Sequence, residues 1–289
     1  MLLNSLFRAL RKPWVDITVS KICLLLVLSG SPQSYADLPL TVEDLLTTQD
    51  RYRVDLDLYY FNNSDRSSAL NYRSNTDYFN LNLGVRYGWS LATELSVRAQ
   101  WHHQETRFQQ FGLRQTNTDS DFNQLSFGIN HKFSPDNDTP ALLGFVNYNW
   151  NRNETWDDDA FSVAVGFTTY RSLDPILLSA SLSYRISQSY EINNQQVQPG
   201  HGLTLTPSLS FAVNSWITLT GGLQWQWQQG DKIEGDRYVI NTTSTELLLG
   251  LGYHWSPDTS LGLNTNIALS EDSGSGIRLN LIYKFDDPL

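Results

Sequence analysis

Histidine, serine and acidic residues lie close together in one part of the sequence. His102 and His103 precede Glu105, and Asp119 with Ser120 follows after a polar stretch. A serine next to a histidine that a carboxylate orients is a common hydrolase nucleophile. No short motif fixes a nucleophile beside its base here, and histidines at the rim of a domain are common without catalysis. Hydrolysis is therefore the least favoured functional hypothesis for this sequence, and no catalytic residue is assigned.

A second set of candidates consists of charged residues that alternate with apolar ones along strand-like segments. Its members are Arg53, Asp55, Asp57, Arg86, Glu94, Arg98, Lys132, Arg185, Glu246, Arg278 and Lys284. Charges of both signs on one face can pair with each other, which is a purely structural interpretation. They can instead line a lumen as an eyelet that selects solutes by the sign of their charge. Pairing is the simpler interpretation, because the sequence does not show which strands bring their charges together.

The segments that carry these charges share one pattern, an alternation of apolar and polar residues. In the last one Ile277, Leu279, Leu281, Tyr283 and Phe285 alternate with more polar residues. Successive side chains of a β-strand point to opposite faces, so the pattern predicts strands with one apolar and one polar face. About twelve such segments follow one another. They lie near 51–61, 77–87, 94–102, 124–133, 141–151, 160–170, 176–188, 202–213, 216–228, 243–255, 260–269 and 276–285.

The connections between these segments alternate in length. Short ones lie at 88–91, 134–140, 171–175, 213–215 and 256–259, and longer polar ones at 62–76, 105–120, 153–158, 191–201, 230–238 and 270–275. Short periplasmic turns that alternate with longer outer loops are typical of an outer-membrane barrel. We therefore predict an all-β fold, a transmembrane antiparallel up-and-down β-barrel of about 12 strands over 51–285. His131 and His254, near the turn side, are expected to point outward.

The alternative fold is a soluble β-sandwich. A closed sandwich needs a second apolar face to fill its core, whereas the inward positions here are almost uniformly polar. Aromatic residues near strand ends, among them Trp101, Trp150, Trp255 and Tyr283, also resemble the girdles of a membrane barrel. The membrane barrel is therefore preferred, and the bacterial outer membrane is the expected location.

The first 36 residues resemble a secretory signal peptide. Four basic residues and one acid precede or flank an apolar run over 22–28, and Ser34-Tyr35-Ala36 forms a small-x-small cleavage site. The apolar run is shorter than the roughly 20 residues of a spanning helix, so removal is expected rather than anchoring. The single cysteine, Cys23, lies in this segment. The mature chain would then have no thiol for a disulfide, a metal site or a nucleophile.

The net charge of −10 excludes a class of partner. Removing the basic leader makes the chain still more acidic, which argues against nucleic acid. The expected partners are outer-membrane lipid and lipopolysaccharide, the barrel-assembly machinery, and small solutes or an exported subunit. Acidic links could attract divalent ions, but they are usually solvated loops, so no metal and no cofactor is predicted.

Residues 37–50 do not follow the strand pattern. Thr41 can cap a short helix, with Glu43 and Asp44 in its first turn and Leu45 and Leu46 on an apolar stripe. This periplasmic segment is either a frayed leader or a plug that enters the lumen. Residues 286–289 form a tail after Phe285, although outer-membrane strands usually end on a terminal aromatic residue.

The last third of the chain resembles a known family. The stretch 247–258, the Leu261-Gly262-Leu263 that follows, the closing 279–285 and the earlier 83–88 resemble the meta-pathway phenol-degradation family of outer-membrane barrels, over about 50–285. The resemblance implies a transporter for aromatic or hydrophobic compounds. Related barrels also resemble export pores for surface-fibre or amyloid subunits.

Three functions follow from these observations. The first is an outer-membrane channel that passes small solutes through a polar lumen. The second is a secretion pore for a surface subunit, and the third is a lipid hydrolase at the rim.

Overall fold

A computed structural model describes residues 46–67, 72–110, 113–153, 158–192, 195–237, 240–270 and 274–285. The predicted signal peptide, most of the segment 37–50 and the tail 286–289 lie outside these ranges, and their boundaries stay predictions. Within these ranges no helix is long and apolar enough to span a membrane.

Twelve long strands in the described residues form one sheet. They are β1 (Tyr52–Ser67), β2 (Tyr72–Ser90), β3 (Thr93–Gln110), β4 (Leu113–Ser134), β5 (Ala141–Asn153), β6 (Asp158–Leu173), β7 (Ile176–Ser187), β10 (Gly202–Ala212), β11 (Ile217–Gln228), β14 (Thr242–His254), β15 (Thr259–Ala268) and β16 (Ser275–Phe285). Four short strands lie between them: β8 (Tyr190–Ile192), β9 (Gln195–Gln198), β12 (Lys232–Ile233) and β13 (Asp236–Arg237).

The long strands close into an antiparallel barrel. Each pairs with the long strand next to it along the chain, and β1 pairs with β16 from Tyr52↔Phe285 to Asn62↔Ser275. Closure satisfies the backbone hydrogen bonds without leaving a sheet edge in the spanning region. The prediction of an up-and-down barrel of about twelve strands is confirmed.

The barrel is polar inside and apolar outside. Asp55 is 1% exposed and Glu94 is 0% exposed, whereas the neighbouring outward residues Leu83 and Leu279 are 51% and 53% exposed. A protein dissolved in water normally shows the reverse arrangement. The alternation therefore places an apolar band where lipid lies and a polar face around the interior.

Two of the predicted outer loops are β-structure. β1 and β2 stay paired as far as Ser67↔Tyr72, and β3 and β4 as far as Gln110↔Leu113. The prediction of loops at 62–76 and 105–120 was wrong, because beyond the membrane both faces of a strand are in water. The apolar alternation then disappears although the backbone ladder continues.

The links 191–201 and 230–238 contain a second, smaller sheet that the sequence did not predict. Its strand order is β13-β12-β9-β8, and Ile233 pairs with Asp236 across a two-residue turn. The turn residues Glu234 and Gly235 both have positive φ, as in a type I′ turn. These strands are too short to show a period in the sequence.

The opposite end of the barrel has short turns that carry large exposed apolar side chains. Trp89, Phe133, Leu173, Trp216 and Trp255 lie in or beside these turns. Aromatic rings favour the headgroup zone of a membrane, and short turns are typical of the periplasmic end of a barrel, so we assign this end to the periplasmic interface.

Candidate functional site in the barrel interior

The strand register places all eleven predicted charged residues on the interior face. Arg53 lies opposite both Lys284 and Arg86, Gly84 opposite Arg98, and Asn130 opposite Glu94. The same face carries Lys132, Arg185, Glu246, Arg278, Asp55 and Asp57. Contact between these side chains and a passing solute is a proposal.

One wall of the interior carries a dense charge network. Lys284, Arg53 and Arg86 follow one another across β16, β1 and β2 at the periplasmic end. Asp55 neutralises part of this row: Arg53 Nε donates to its Oδ1 at 2.9 Å and Arg86 Nε to its Oδ2 at 2.5 Å. Arg86 also lies 3.6 Å from Glu94. For these residues the structure shows pairing, which was the simpler interpretation.

Amide side chains satisfy two other interior carboxylates. Asn280 Nδ2 donates to Asp57 Oδ1 at 2.6 Å, and Asn266 Nδ2 donates to Glu246 Oε2 at 2.8 Å. Arg278 lies over the Tyr59 ring, 5.2 Å from its centre. The amide partners were not predicted, because Asn and Gln at inward positions give no signal of what they bond.

The opposite wall carries small hydroxyl side chains. Ser181, Thr206, Ser210, Thr218 and Thr220 on β7, β10 and β11 are buried in the interior. Several of these hydroxyls bond each other across neighbouring strands, including Thr168 to Ser181 at 3.0 Å and Ser210 to Thr220 at 2.9 Å. The interior is therefore asymmetric: most long charged side chains lie on one side, and small hydroxyls lie on the other, where Arg185 is the charged residue at the outer end of β7.

The segment before β1 enters the periplasmic mouth of the barrel. Thr47 donates to Glu94 Oε2 from its backbone nitrogen at 2.7 Å and from its hydroxyl at 2.6 Å. Leu46 packs on an interior apolar cluster that includes Leu143, Tyr170 and Leu177. The described part, residues 46–50, is not helical.

The histidines that suggested hydrolysis point to different faces of the barrel. His102 faces the interior, where its Nε2 lies 3.3 Å from Asp119 and its ring stacks on Tyr78. His103 faces outward, and its Nδ1 lies within hydrogen-bonding distance of Ser120 Oγ. The sheet therefore separates the histidine–carboxylate pair from the histidine–serine pair, and they do not form a triad.

His254 differs from its prediction. It faces the interior and its Nδ1 lies 3.0 Å from the buried Ser260 Oγ. The outward prediction was wrong because Leu247, Leu248 and Leu249 are consecutive, so apolarity does not show which face each residue takes. His131 does face outward and bonds Thr93.

The small sheet is joined to the outer end of the barrel interior. Arg185 Nη2 donates to Gln228 Oε1 at 2.7 Å, and Gln228 Nε2 donates to the Gly200 carbonyl at 2.9 Å. Gly200 nitrogen in turn donates to Asp231 Oδ1 at 2.8 Å. Burial raises the pKa of the Asp231 carboxyl above its usual range.

In the ranges that the structure describes, no group of three or more histidine, cysteine or acidic residues is arranged to hold a metal ion. Neither a known protein family nor a curated protein matches the sequence.

Solved structures do match the fold. The COG4313 outer membrane channel from Pseudomonas putida F1 superposes with a TM-score of 0.65 at 10% identity, over 88% of this chain and 99% of that one. The chain has the fold of an outer-membrane β-barrel. The translocator domain of the autotransporter NalP from Neisseria meningitidis has a TM-score of 0.56 at 12% identity, over 93% of this chain and 98% of that domain.

The transport unit of the autotransporter AIDA-I from Escherichia coli is similar to the same degree. Its TM-score is 0.56 at 12% identity, over 91% of this chain and 97% of that one. Such low identities show a shared fold and do not decide between the activities of these proteins. Together with the apolar exterior, the fold places the protein in the bacterial outer membrane.

Proposed function

We propose that the protein is a passive channel for small polar solutes. The observation that carries the proposal is the asymmetry of the interior, in which the charged wall of β16, β1, β2 and β3 faces the small hydroxyl wall of β7, β10 and β11. Side chains fill a barrel of about 8 strands, whereas about 16 strands enclose a wide channel. In a barrel of intermediate size, short side chains take up the least interior volume, so we assign the solute path to the hydroxyl wall.

The pairing of the charges supports passage rather than tight binding. Asp55 is held by Arg53 and Arg86, and Glu94 accepts hydrogen bonds from Thr47 and Asn130. Paired charges attract a passing ion less strongly than isolated ones, so a solute can enter and also leave. Weak ion selectivity is therefore expected, with its sign set by the rows of Arg and Lys and their partners.

The other two hypotheses have less support. A secretion pore must pass an extended polypeptide, and the charge network together with Thr47 occupies part of the interior at its periplasmic end. A rim hydrolase needs a carboxylate, a base and a nucleophile together, whereas Asp119 lies with His102 on the interior face and the His103–Ser120 pair lies on the outer face. Uptake of aromatic compounds, which the family resemblance implies, stays an expectation.

Single-channel recording in planar bilayers tests the proposal. Refolded protein should give discrete conductance steps with a small reversal potential in a salt gradient. A barrel that shows heat-modifiable migration, and is therefore folded, but gives no conductance steps would contradict the channel function. In that case, release of fatty acid from labelled outer membranes would be the next measurement.

A further inference from the structure

The charges inside the barrel do not balance. In the described part of the closed barrel, where each strand is paired on both sides, basic residues at interior positions outnumber acidic ones by seven to four, with histidine counted as neutral. The basic residues are Arg53, Arg86, Arg98, Lys132, Arg185, Arg278 and Lys284, and the acidic residues are Asp55, Asp57, Glu94 and Glu246. Pairing does not remove this excess of three positive charges, because one carboxylate neutralises only one cation.

The sign of the interior is opposite to that of the whole protein. The chain carries a net charge of −10. Asp119 and Asp121 lie on the part of β4 beyond Gln124, where the pairing with β5 begins, and the Asp119 side chain is 59% exposed. Water and salt screen exposed charges much more than buried ones. A solute in the spanning part of the barrel therefore meets a positive interior.

The positive excess is largest on the charged wall. Lys284, Arg53 and Arg86 lie side by side in one row of the strand register, on β16, β1 and β2. Asp55 and Arg98 lie in the next row toward the outer end. These two rows hold four basic residues and one acidic residue. Guanidinium and ammonium groups are the usual ligands of carboxylates and phosphates in proteins.

Gly84 lets the charges of this wall come together. It lies between Asp55 and Arg98 in the register, on the central one of three neighbouring strands. A Cβ at Gly84 would lie 3.5 Å from Asp55 Oδ2 and 3.7 Å from Arg98 Nε, so both side chains extend over the glycine. Asp55 also bonds Arg53 and Arg86. One carboxylate thus lies among three guanidinium groups and balances the charge of one of them.

We propose that this wall is an anion-selectivity site and that the solutes of the channel are small organic anions, carboxylates above all, an inference that rests on the proposed channel function and names its substrate class. Arg98 and Lys284 are partly exposed to the interior and contact the solute, whereas Arg53 is buried and holds Asp55 in place. The low-dielectric wall strengthens the field of these charges. Because Asp55 balances part of the charge, the attraction stays weak enough for the anion to leave.

Reversal potentials in a potassium chloride gradient across a planar bilayer measure this selectivity. For the full chain we expect chloride to be about twofold to fivefold more permeant than potassium. Arg98→Gln and Lys284→Gln should each move the permeability ratio toward one, and Arg98→Lys should retain more of the preference than Arg98→Gln. Arg107→Gln is the control, because Arg107 lies beyond the spanning region and its side chain is 54% exposed. Heat-modifiable migration shows that each variant is a folded barrel.

A second measurement tests the class of solute. Succinate and succinamide have similar size, but only succinate carries carboxylates. Succinate added to one side of the bilayer should lower the chloride current by competing for Arg98 and Lys284, and succinamide should not. Arg98→Gln should weaken the effect of succinate.

The outcomes separate the two proposals. A folded parent protein that conducts without selectivity, or that prefers potassium, overturns the anion site and leaves the channel function standing. An anion preference that Arg98→Gln and Lys284→Gln both leave unchanged has the same consequence, as do equal effects of succinate and succinamide. No conductance from the folded parent protein overturns the channel function, and the anion site is overturned with it.

Discussion

Arg86 and Asp55 form an ion pair inside the barrel, with Arg86 Nε 2.5 Å from Asp55 Oδ2 and side-chain exposures of 11% and 2%. The two residues lie on neighbouring strands, and Arg53 approaches the other carboxylate oxygen from the same strand as Asp55. A single carboxylate therefore lies between two guanidinium groups. The pair is part of the barrel's structure, and it also sets the charge along one wall of the proposed path.

Removing this carboxylate should destabilise the barrel. In Asp55→Asn the guanidinium groups of Arg53 and Arg86 lose their shared counter-charge, and breaking a buried pair in this way costs about 3–5 kcal/mol of unfolding free energy. The measurement is reversible urea unfolding in lipid vesicles. The control Glu105→Gln removes a carboxylate from a pair with the exposed Arg107 and should cost much less, because solvent screens that pair. Equal losses in the two variants would contradict this prediction.

The hydroxyl wall should be sensitive to added volume. Thr220→Trp puts a large ring into the interior beside Ser210, and we expect single-channel conductance to fall at least about twofold. Leu219→Trp is the matched control, because Leu219 is the next residue on β11 and points outward. A similar fall in both variants would show that the path does not follow this wall.

The exterior should be sensitive to charge at the middle of the membrane. Leu281 is an outward residue of β16, and it pairs with Leu56 and Leu261 on the neighbouring strands. Leu281→Arg should lower the free energy of unfolding in vesicles by about 2–4 kcal/mol, whereas Val213→Arg near a periplasmic turn should cost about 0–1 kcal/mol. If the two substitutions cost the same, the apolar band has been placed wrongly.

The anchoring of the small sheet should depend on pH. Burial raises the pKa of Asp231 above its ordinary value of 3.8, so the folded form holds its proton more tightly than the unfolded form does. The stability that this group contributes is then fully present below the unfolded pKa and is lost as pH rises through the folded pKa.

The Gly200 amide reports this effect because it donates to Asp231 Oδ1. Its hydrogen-exchange protection factor should decrease as pH rises from near 3.8. Asp231→Asn keeps an oxygen acceptor without a titrating group, so its protection factor should be flat over the same range. A protection factor that rises with pH in the parent protein would reverse the expected sign.

The strands of the barrel were predictable because one physical rule governs each of them. In β16 every second residue from Ile277 to Phe285 faces lipid. Lipid-facing positions require apolar side chains, and the alternation in the sequence shows that requirement directly. The interior position of the charges follows from the same parity. The rule does not apply where its cause is absent, as in the outer parts of β1 to β4, where water contacts both faces.

The partners of the interior side chains were not predictable. Glu94 and Thr47 are 47 residues apart, and Asp57 and Asn280 are 223 residues apart. Such pairs depend on barrel closure and on the stagger between strands, which set which rows lie level with each other. The small sheet was missed because β8, β9, β12 and β13 have two to four residues each.

The sequence by itself determined the wall of this protein: an antiparallel set of strands with an apolar outer face and a polar inner face. Alternation is a local property of the chain, so no knowledge of distant contacts was needed. Only the tertiary structure decided how the interior is arranged, with Asp55 between two arginines, hydroxyls along the opposite wall and Thr47 bonded to Glu94. These relationships arise when closure brings distant segments together, and the order of residues along the chain does not encode those distances in a readable form.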